Sequence, residues 1–178
     1  MEQKFIFAGP VGAGKTTAIR AISDIDVVST ERKASDHVAL RKDTTTVAMD
    51  YGTLEIDDHQ KIHLYGTPGQ TRFSFMWDII SIGGLGLIIL LDSNREDPLA
   101  DLELYTKAFR PLINKSGVVI GITGMDMNNK NNLAIYYKKL DELGIKAPVF
   151  EVDARKRNDI IILLRALLAM LDPGVRRS

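Results

Sequence analysis

Along the chain, short apolar runs alternate with segments in which apolar residues recur at helical spacing. Continuous runs stand at positions 4–9 (KFIFAG), 85–92 (LGLIILLD), 117–123 (GVVIGIT) and 147–153 (APVFEVD). Between them lie helical patterns at 15–23 (KTTAIRAIS), 98–113 (PLADLELYTKAFRPLI), 132–144 (NLAIYYKKLDELG) and 160–171 (IIILLRALLAML). Such alternation predicts an α/β fold with a mostly parallel sheet, and runs without polar interruption predict strands covered by helices on both faces. Two further strand patterns, 46–56 (TVAMDYGTLEI) and 61–66 (KIHLYG), are separated only by DDHQ at 57–60. That link is too short for a crossover, so these strands are expected to form an antiparallel edge hairpin. Residues 24–45 are polar and weakly periodic, and a connection of that length inside a compact domain is usually functional.

The length of 178 residues suits a single domain over 1–178. Lys and Arg together number 23, as do Asp and Glu, so no global charge draws the chain to nucleic acid, and none is expected as a partner. Cysteine is absent, which excludes disulfides, thiolate metal sites and thioether or thioester lipids and fits a cytoplasmic protein. The opening MEQKFIFAGP has no signal-peptide layout, and the terminal run is interrupted by Arg165 and too short to span a bilayer. The expectation is a protein without a direct membrane anchor, recruited to membrane only through a partner.

The stretch GPVGAGKTT at 9–17 carries the clearest chemistry. Gly9, Gly14, Lys15 and Thr16 fit G-x-x-x-x-G-K-[ST] between a strand and a helix, the context in which this pattern cradles phosphate. Gly12 and Gly14 allow the backbone to turn so that the N–H groups of Ala13, Gly14, Lys15 and Thr16 converge at a positive helix end. Val11 and Thr17 complete the candidate nucleotide-binding loop. Lys15 is placed to reach the outer phosphates and Thr16 to put its hydroxyl on Mg²⁺. The loop alone does not choose among ATPases, nucleotide kinases and GTPases.

Downstream of it, TTTVAMDYG (44–52) and LYGTPGQTR (64–72) resemble switch I and switch II of Ras-like small GTPases, and TVAMDYGT is similar to the TIGVEFGT stretch of the Rab type. The resemblance implies a P-loop NTPase three-layer fold. It makes Thr46 the switch threonine that meets Mg²⁺, with Thr44 and Thr45 as register alternatives. Gly69 would donate its N–H to the γ-phosphate, and Gln70 would orient the attacking water. VVIGITGMD (118–126) and VDAR (152–155) resemble the N-K-x-D and S-A-K elements, which implies that Asp126 reads guanine and that Ala154 donates its N–H to the base carbonyl. A carboxylate can accept from both the ring imino and exocyclic amino groups of guanine, a pair adenine does not offer.

Three departures stand out. Gly66 occupies the place of the switch II Asp, which predicts a weakened metal site. Thr123 and Gly124 replace the Asn and Lys of N-K-x-D, which predicts a lost amide clamp and a lost aliphatic cover over the base. Val11 stands where Gly leaves room beside the γ-phosphate. Taken together, the relaxed switch II TPGQ, the GP…GKTT loop and the TTT…D of switch I, which ends at Asp50, look most like prokaryotic Ras-like GTPases of the MglA type. That implies a slow GTP-hydrolysing switch with GTP/GDP and Mg²⁺ as cofactors, Lys15, Thr46 and Gln70 as catalytic residues, and Thr16 and Thr46 on the metal. It further implies control of polarity, motility or surface signalling through a regulatory partner, such as a Roadblock-fold activating or exchange protein. A nucleotide-holding adaptor with little hydrolysis and an ATP-dependent small-molecule kinase are the alternatives.

Other residues divide between two readings. Arg41 and Arg72 are either transition-state cations or solvated loop residues. Phe73, Phe75, Met76 and Trp77 either face a partner or pack the next helix. His37, His59 and His63 share no metal-ligand spacing, and RKR at 155–157 reads as a turn or an acidic-partner patch.

Overall fold

The computed structural model describes residues 2–29, 49–57, 60–127 and 132–171. Within them the chain forms β1 (Glu2–Ala8), α1 (Lys15–Ile22), β2 (Val28–Ser29), β3 (Asp50–Asp57), β4 (Gln60–Gly66), α2 (Phe75–Ser81) and β5 (Gly86–Asp92), followed by α3 (Pro98–Ala108), α4 (Arg110–Lys115), β6 (Val118–Thr123), α5 (Ala134–Glu142), β7 (Val149–Glu151) and α6 (Arg157–Leu171). One seven-stranded sheet has the order β2-β3-β4-β1-β5-β6-β7. Strands β4, β1, β5, β6 and β7 run parallel. The expected hairpin is present as β3 against β4, antiparallel from Asp50 opposite Gly66 to Asp57 opposite Gln60. Beyond it lies a second antiparallel pairing, Val28 and Ser29 against Tyr51 and Asp50.

The apolar runs conceal a period of two that divides them between two cores. Phe5, Phe7, Ile88 and Leu90 point to the face covered by α1 and α6, where Ile19, Ile22, Ile160, Leu163 and Leu167 meet them. Ile6, Ala8, Leu87, Ile89 and Leu91 point to the opposite face, against Trp77, Leu102, Tyr105, Phe109, Tyr136 and Leu140. Each fully buried side chain of this kind contributes about 1.5–3 kcal/mol relative to exposure, so the sheet is anchored from both sides. The terminal helix buries Ile160, Leu163, Leu164 and Leu167, one stripe at helical spacing, as expected.

The single helix expected over 98–113 divides at Phe109 into α3 and α4. Pro111 is the cause: it has no N–H to give to Lys107, and its ring crowds that carbonyl. Asp97 caps α3 by accepting from the Ala100 N–H (2.9 Å), and Pro98 takes the first helical position.

This topology fixes where ligands fit. At β1 the chain order reverses, with α1 leaving to one face of the sheet and α3 lying on the other. The carboxyl ends of β1, β5, β6 and β7 open together at that switch point, the usual place for ligands in an open α/β sheet.

Candidate functional site

The loop after β1 holds its shape through backbone conformation. Gly9 and Gly12 have φ of 142° and 81°, values that L side chains rarely adopt. Lys15 opens α1 and is buried, and its ammonium donates to the carbonyls of Gly9 (2.6 Å) and Pro10 (2.7 Å), closing across the loop to which it belongs. Beside it is a cavity of about 210 Å³ lined by Val11, Gly12, Lys15, Thr16, Asp50 and Gly69 among others. A helix N-terminus, a buried ammonium and a left-handed glycine facing open space make this a cavity for an anion. The Thr16 hydroxyl donates to the carboxylate of Asp50.

Gly69 closes this cavity from the opposite side. A Cβ at that position would lie 2.6 Å from the Val11 nitrogen and 2.9 Å from Lys15 Nζ, so only glycine permits this approach. Two aromatic donors hold the segment from beneath. Trp77 Nε1 donates to the Pro68 carbonyl (2.8 Å) and the Tyr105 hydroxyl donates to the Gly69 carbonyl (3.1 Å). Burial pushes the Tyr105 phenol upward, which keeps it a neutral donor. Trp77 and Phe73 pack inward while Phe75 is exposed, so the aromatic segment divides between core and surface.

A larger cavity of about 620 Å³ adjoins the first, and Gly12, Gly14 and Thr17 line both. Asp126 and Ala154 also line it. The Cβ of Ala154 lies 2.8 Å from where a Cβ of Gly14 would stand, so the β7 loop rests directly on the phosphate loop. Thr123, read from the sequence as a lost clamp, donates its hydroxyl to the carbonyls of Ala13 (3.1 Å) and Leu91 (3.2 Å). A threonine thus ties β6 to the phosphate loop. Next to it, the Asn94 amide donates to the Gly124 carbonyl (2.9 Å) and a Cβ on Gly124 would lie 2.3 Å from that nitrogen. Asn94 fills the space above residue 124. The Arg155 guanidinium and N–H hold the Asp153 carboxyl well below the usual carboxylate range, bracing the loop that carries Ala154.

Gln70 is exposed and lines a neighbouring groove of about 550 Å³ with Val11, Arg72, Arg95 and Tyr105, outside the lining of the phosphate cavity. Arg72 lies over the Phe73 ring at 4.8 Å. Arg157 donates to the carbonyls of Ala21 (3.2 Å) and Ile22 (3.0 Å), so part of the basic triplet caps the end of α1. His63 Nδ1 is 2.8 Å from the Tyr51 hydroxyl. Thr46, with Thr44, Thr45, Arg41, His37 and His59, lies outside the described residues. Asn94 and Tyr105 carry no motif of their own, and only the fold brings them to the site; Asp50 stands in the TTT…D stretch and Trp77 in the aromatic segment, and the fold supplies their partners.

Among the described residues no group of three His, Cys, Asp or Glu side chains is placed to hold a metal. In the phosphate cavity the Thr16 hydroxyl and the Asp50 carboxylate lie together, hard oxygen donors of the kind Mg²⁺ accepts when phosphates and water complete its shell. Among the described residues no helix is long and apolar enough to cross a membrane.

Comparison with solved structures finds the G domain of the FeoB iron transporter from T. maritima, with a TM-score of 0.62 and 18% identity over 97% of this chain and 100% of that one. At that identity the likeness establishes a shared fold, the P-loop G-domain architecture. Among curated proteins, the uncharacterized protein MJ1339 of Methanocaldococcus jannaschii is 34% identical over 103 residues, 58% of this chain and 59% of that protein. The chain thus matches about three fifths of that relative's length. A family model described as conserved hypothetical ATP binding protein matches residues 25–160, from just after α1 into the first turn of α6. With a phosphate loop preceding that match and the fold around it, the chain belongs to this family of P-loop nucleotide-binding proteins.

Proposed function

We propose that residues 1–178 form one G domain acting as a guanine-nucleotide switch of the MglA type, which hydrolyses GTP to GDP slowly and signals through a regulatory protein. The observation that supports the guanine reading is that Asp126 and Ala154 line the same cavity as Gly12, Gly14 and Thr17 of the phosphate loop. Main-chain amides of 13–16 and the Lys15 ammonium bind the phosphates and stabilise charge that develops on them. Thr16 and Thr46 would hold Mg²⁺, which when bound would neutralise phosphate charge. Gln70 orients water once the segment after Gly69 leaves the groove beside Tyr105. Loss of the γ-phosphate releases the contacts of Thr46 and Gly69, and both segments relax.

Val11 is 55% exposed and lines both the phosphate cavity and the Gln70 groove, so its branched side chain stands where Gln70 must enter. Slow turnover without a partner follows, and a Roadblock-fold activating or exchange protein is the partner class we favour. The protein acts in the cytoplasm and reaches membrane only through such a partner. The description of the family as ATP-binding favours a second reading, in which the same cavity holds ATP.

Competition of GTP and ATP against a fluorescent guanine nucleotide, with wild type and Asp126→Ala, separates the two. Displacement by GTP that Asp126→Ala abolishes supports the guanine reading; displacement by ATP in both proteins refutes it. Single-turnover hydrolysis that is fast without partner and unchanged by Gln70→Ala refutes the catalytic assignment.

A further inference from the structure

We infer that Asp50 on β3 is the acidic arm of the cation site, taking over from the carboxylate that residue 66 lacks. The inference rests on the nucleotide-binding reading above and deepens it. Asp50 and Gly66 are register partners across the β3–β4 hairpin. Asp50 is buried at 7% exposure and lines the phosphate cavity. Its carboxylate accepts the hydroxyl proton of Thr16. A hydroxyl that ligates a cation does so through a lone pair and must direct its proton elsewhere, and Asp50 is where this proton goes.

The space above Gly66 shows why the two positions exclude one another. A Cβ built there would stand 3.1 Å from Asp50 Cβ, 3.1 Å from Asp50 Oδ2 and 3.0 Å from Ile19 Cδ1. The volume a carboxylate at residue 66 would need is filled by the one arriving from the neighbouring strand. Two carboxylates so close would also repel in a cavity meant for phosphate. The negative charge has moved one strand across the sheet, and with it in place the metal site is not weakened as Gly66 alone suggests.

Mn²⁺ affinity, read from the electron paramagnetic resonance signal of free Mn²⁺, tests this on the full chain loaded with whichever of GDP and ADP binds more tightly. Asp50→Asn keeps the shape and the acceptor for Thr16 but removes the charge. It should weaken Mn²⁺ binding by about 10–100-fold, the usual cost of losing an outer-shell partner. Nucleotide affinity measured in EDTA should hold or rise, because an uncompensated negative charge beside the phosphates is gone; this also shows that the variant is folded. Asp50→Gly with Gly66→Asp returns a carboxylate from the β4 side and should recover most of the lost Mn²⁺ affinity. Affinity that Asp50→Asn leaves within about twofold of wild type, well below the usual outer-shell effect, overturns the assignment. So does a nucleotide loss that is equal with and without metal, and a double variant no better than Asp50→Asn overturns the exchange of one carboxylate for the other. A wild-type chain that takes up neither nucleotide overturns the functional reading as well.

Discussion

Substituting alanine at Gly9 and at Gly12 should damage two different properties, although both glycines have positive φ in the same loop. At Gly9 the added Cβ would stand 2.0 Å from the Leu90 carbonyl oxygen, a backbone atom of β5 that cannot yield without moving the strand. Its φ of 142° adds backbone strain of about 1–3 kcal/mol, and the clash costs about as much again by the usual range for overpacking. A loss of about 4 kcal/mol corresponds to a fall in Tm of about 8–16 °C for a chain of this size. At Gly12 nothing lies within 4 Å of the new Cβ, and its φ is 81°. The cost there is the left-handed penalty of about 1–2 kcal/mol, or about 2–8 °C. The open space beside Gly12 is, however, the space that both cavities share. Gly12→Ala should therefore melt only about 2–8 °C below wild type without ligand yet lose most of the Tm increase that nucleotide and Mg²⁺ confer. Thermal melts with and without GDP and Mg²⁺ read both quantities. A Gly12→Ala protein with the full ligand-induced increase, or a Gly9→Ala protein as stable as Gly12→Ala, would refute this reasoning.

Thr123→Val removes the donor shared by the Ala13 and Leu91 carbonyls and should cost about 0.5–1.5 kcal/mol, read as a lower denaturation midpoint at unchanged m-value. Tyr105→Phe keeps the ring against Trp77 but frees the Gly69 carbonyl, so amide exchange over residues 69–73 should accelerate while Tm changes little; unchanged exchange would contradict the tether. The Glu103 carboxyl is lowered from 4.5 to about 2 by hydrogen bonds to Lys107 and Lys139. A depressed native value places its stabilisation above the unfolded value and removes it as pH falls from 4.5 toward 2, so the Tm gap between wild type and Glu103→Gln should close across that window. Because these side chains meet at the surface, added salt should narrow the same gap.

Much of the scaffold was legible in the chain. Continuous apolar runs gave the parallel strands, the four-residue link gave the antiparallel hairpin, and G-x-x-x-x-G-K-T gave the phosphate loop. The two-residue strand Val28–Ser29 was not legible, since it is too short to show alternation and is defined by pairing with Tyr51 and Asp50. The break at Phe109 was available from Pro111 but was masked by apolar residues on both sides of it. At the site, the motif residues Lys15, Thr16, Gly69, Asp126 and Ala154 all line the two adjoining cavities. Asn94 escaped, and Asp50 of the TTT…D stretch gave no sign of facing Gly66, because a side chain that fills a gap left by Gly66 or Gly124 comes from another strand or loop. No spacing along the chain encodes such proximity. The same holds for Thr123, whose value lies in reaching Ala13, 110 positions earlier.

The central claim is that the turn between β1 and α1 receives the phosphates of a guanine nucleotide. Isothermal titration of nucleotide-stripped protein with GDP and, separately, ADP in the presence of Mg²⁺ tests it most directly. The account predicts saturable heat with GDP at one equivalent, lost in Lys15→Ala and in Asp126→Ala. Heat with ADP alone, or with neither nucleotide, would contradict it.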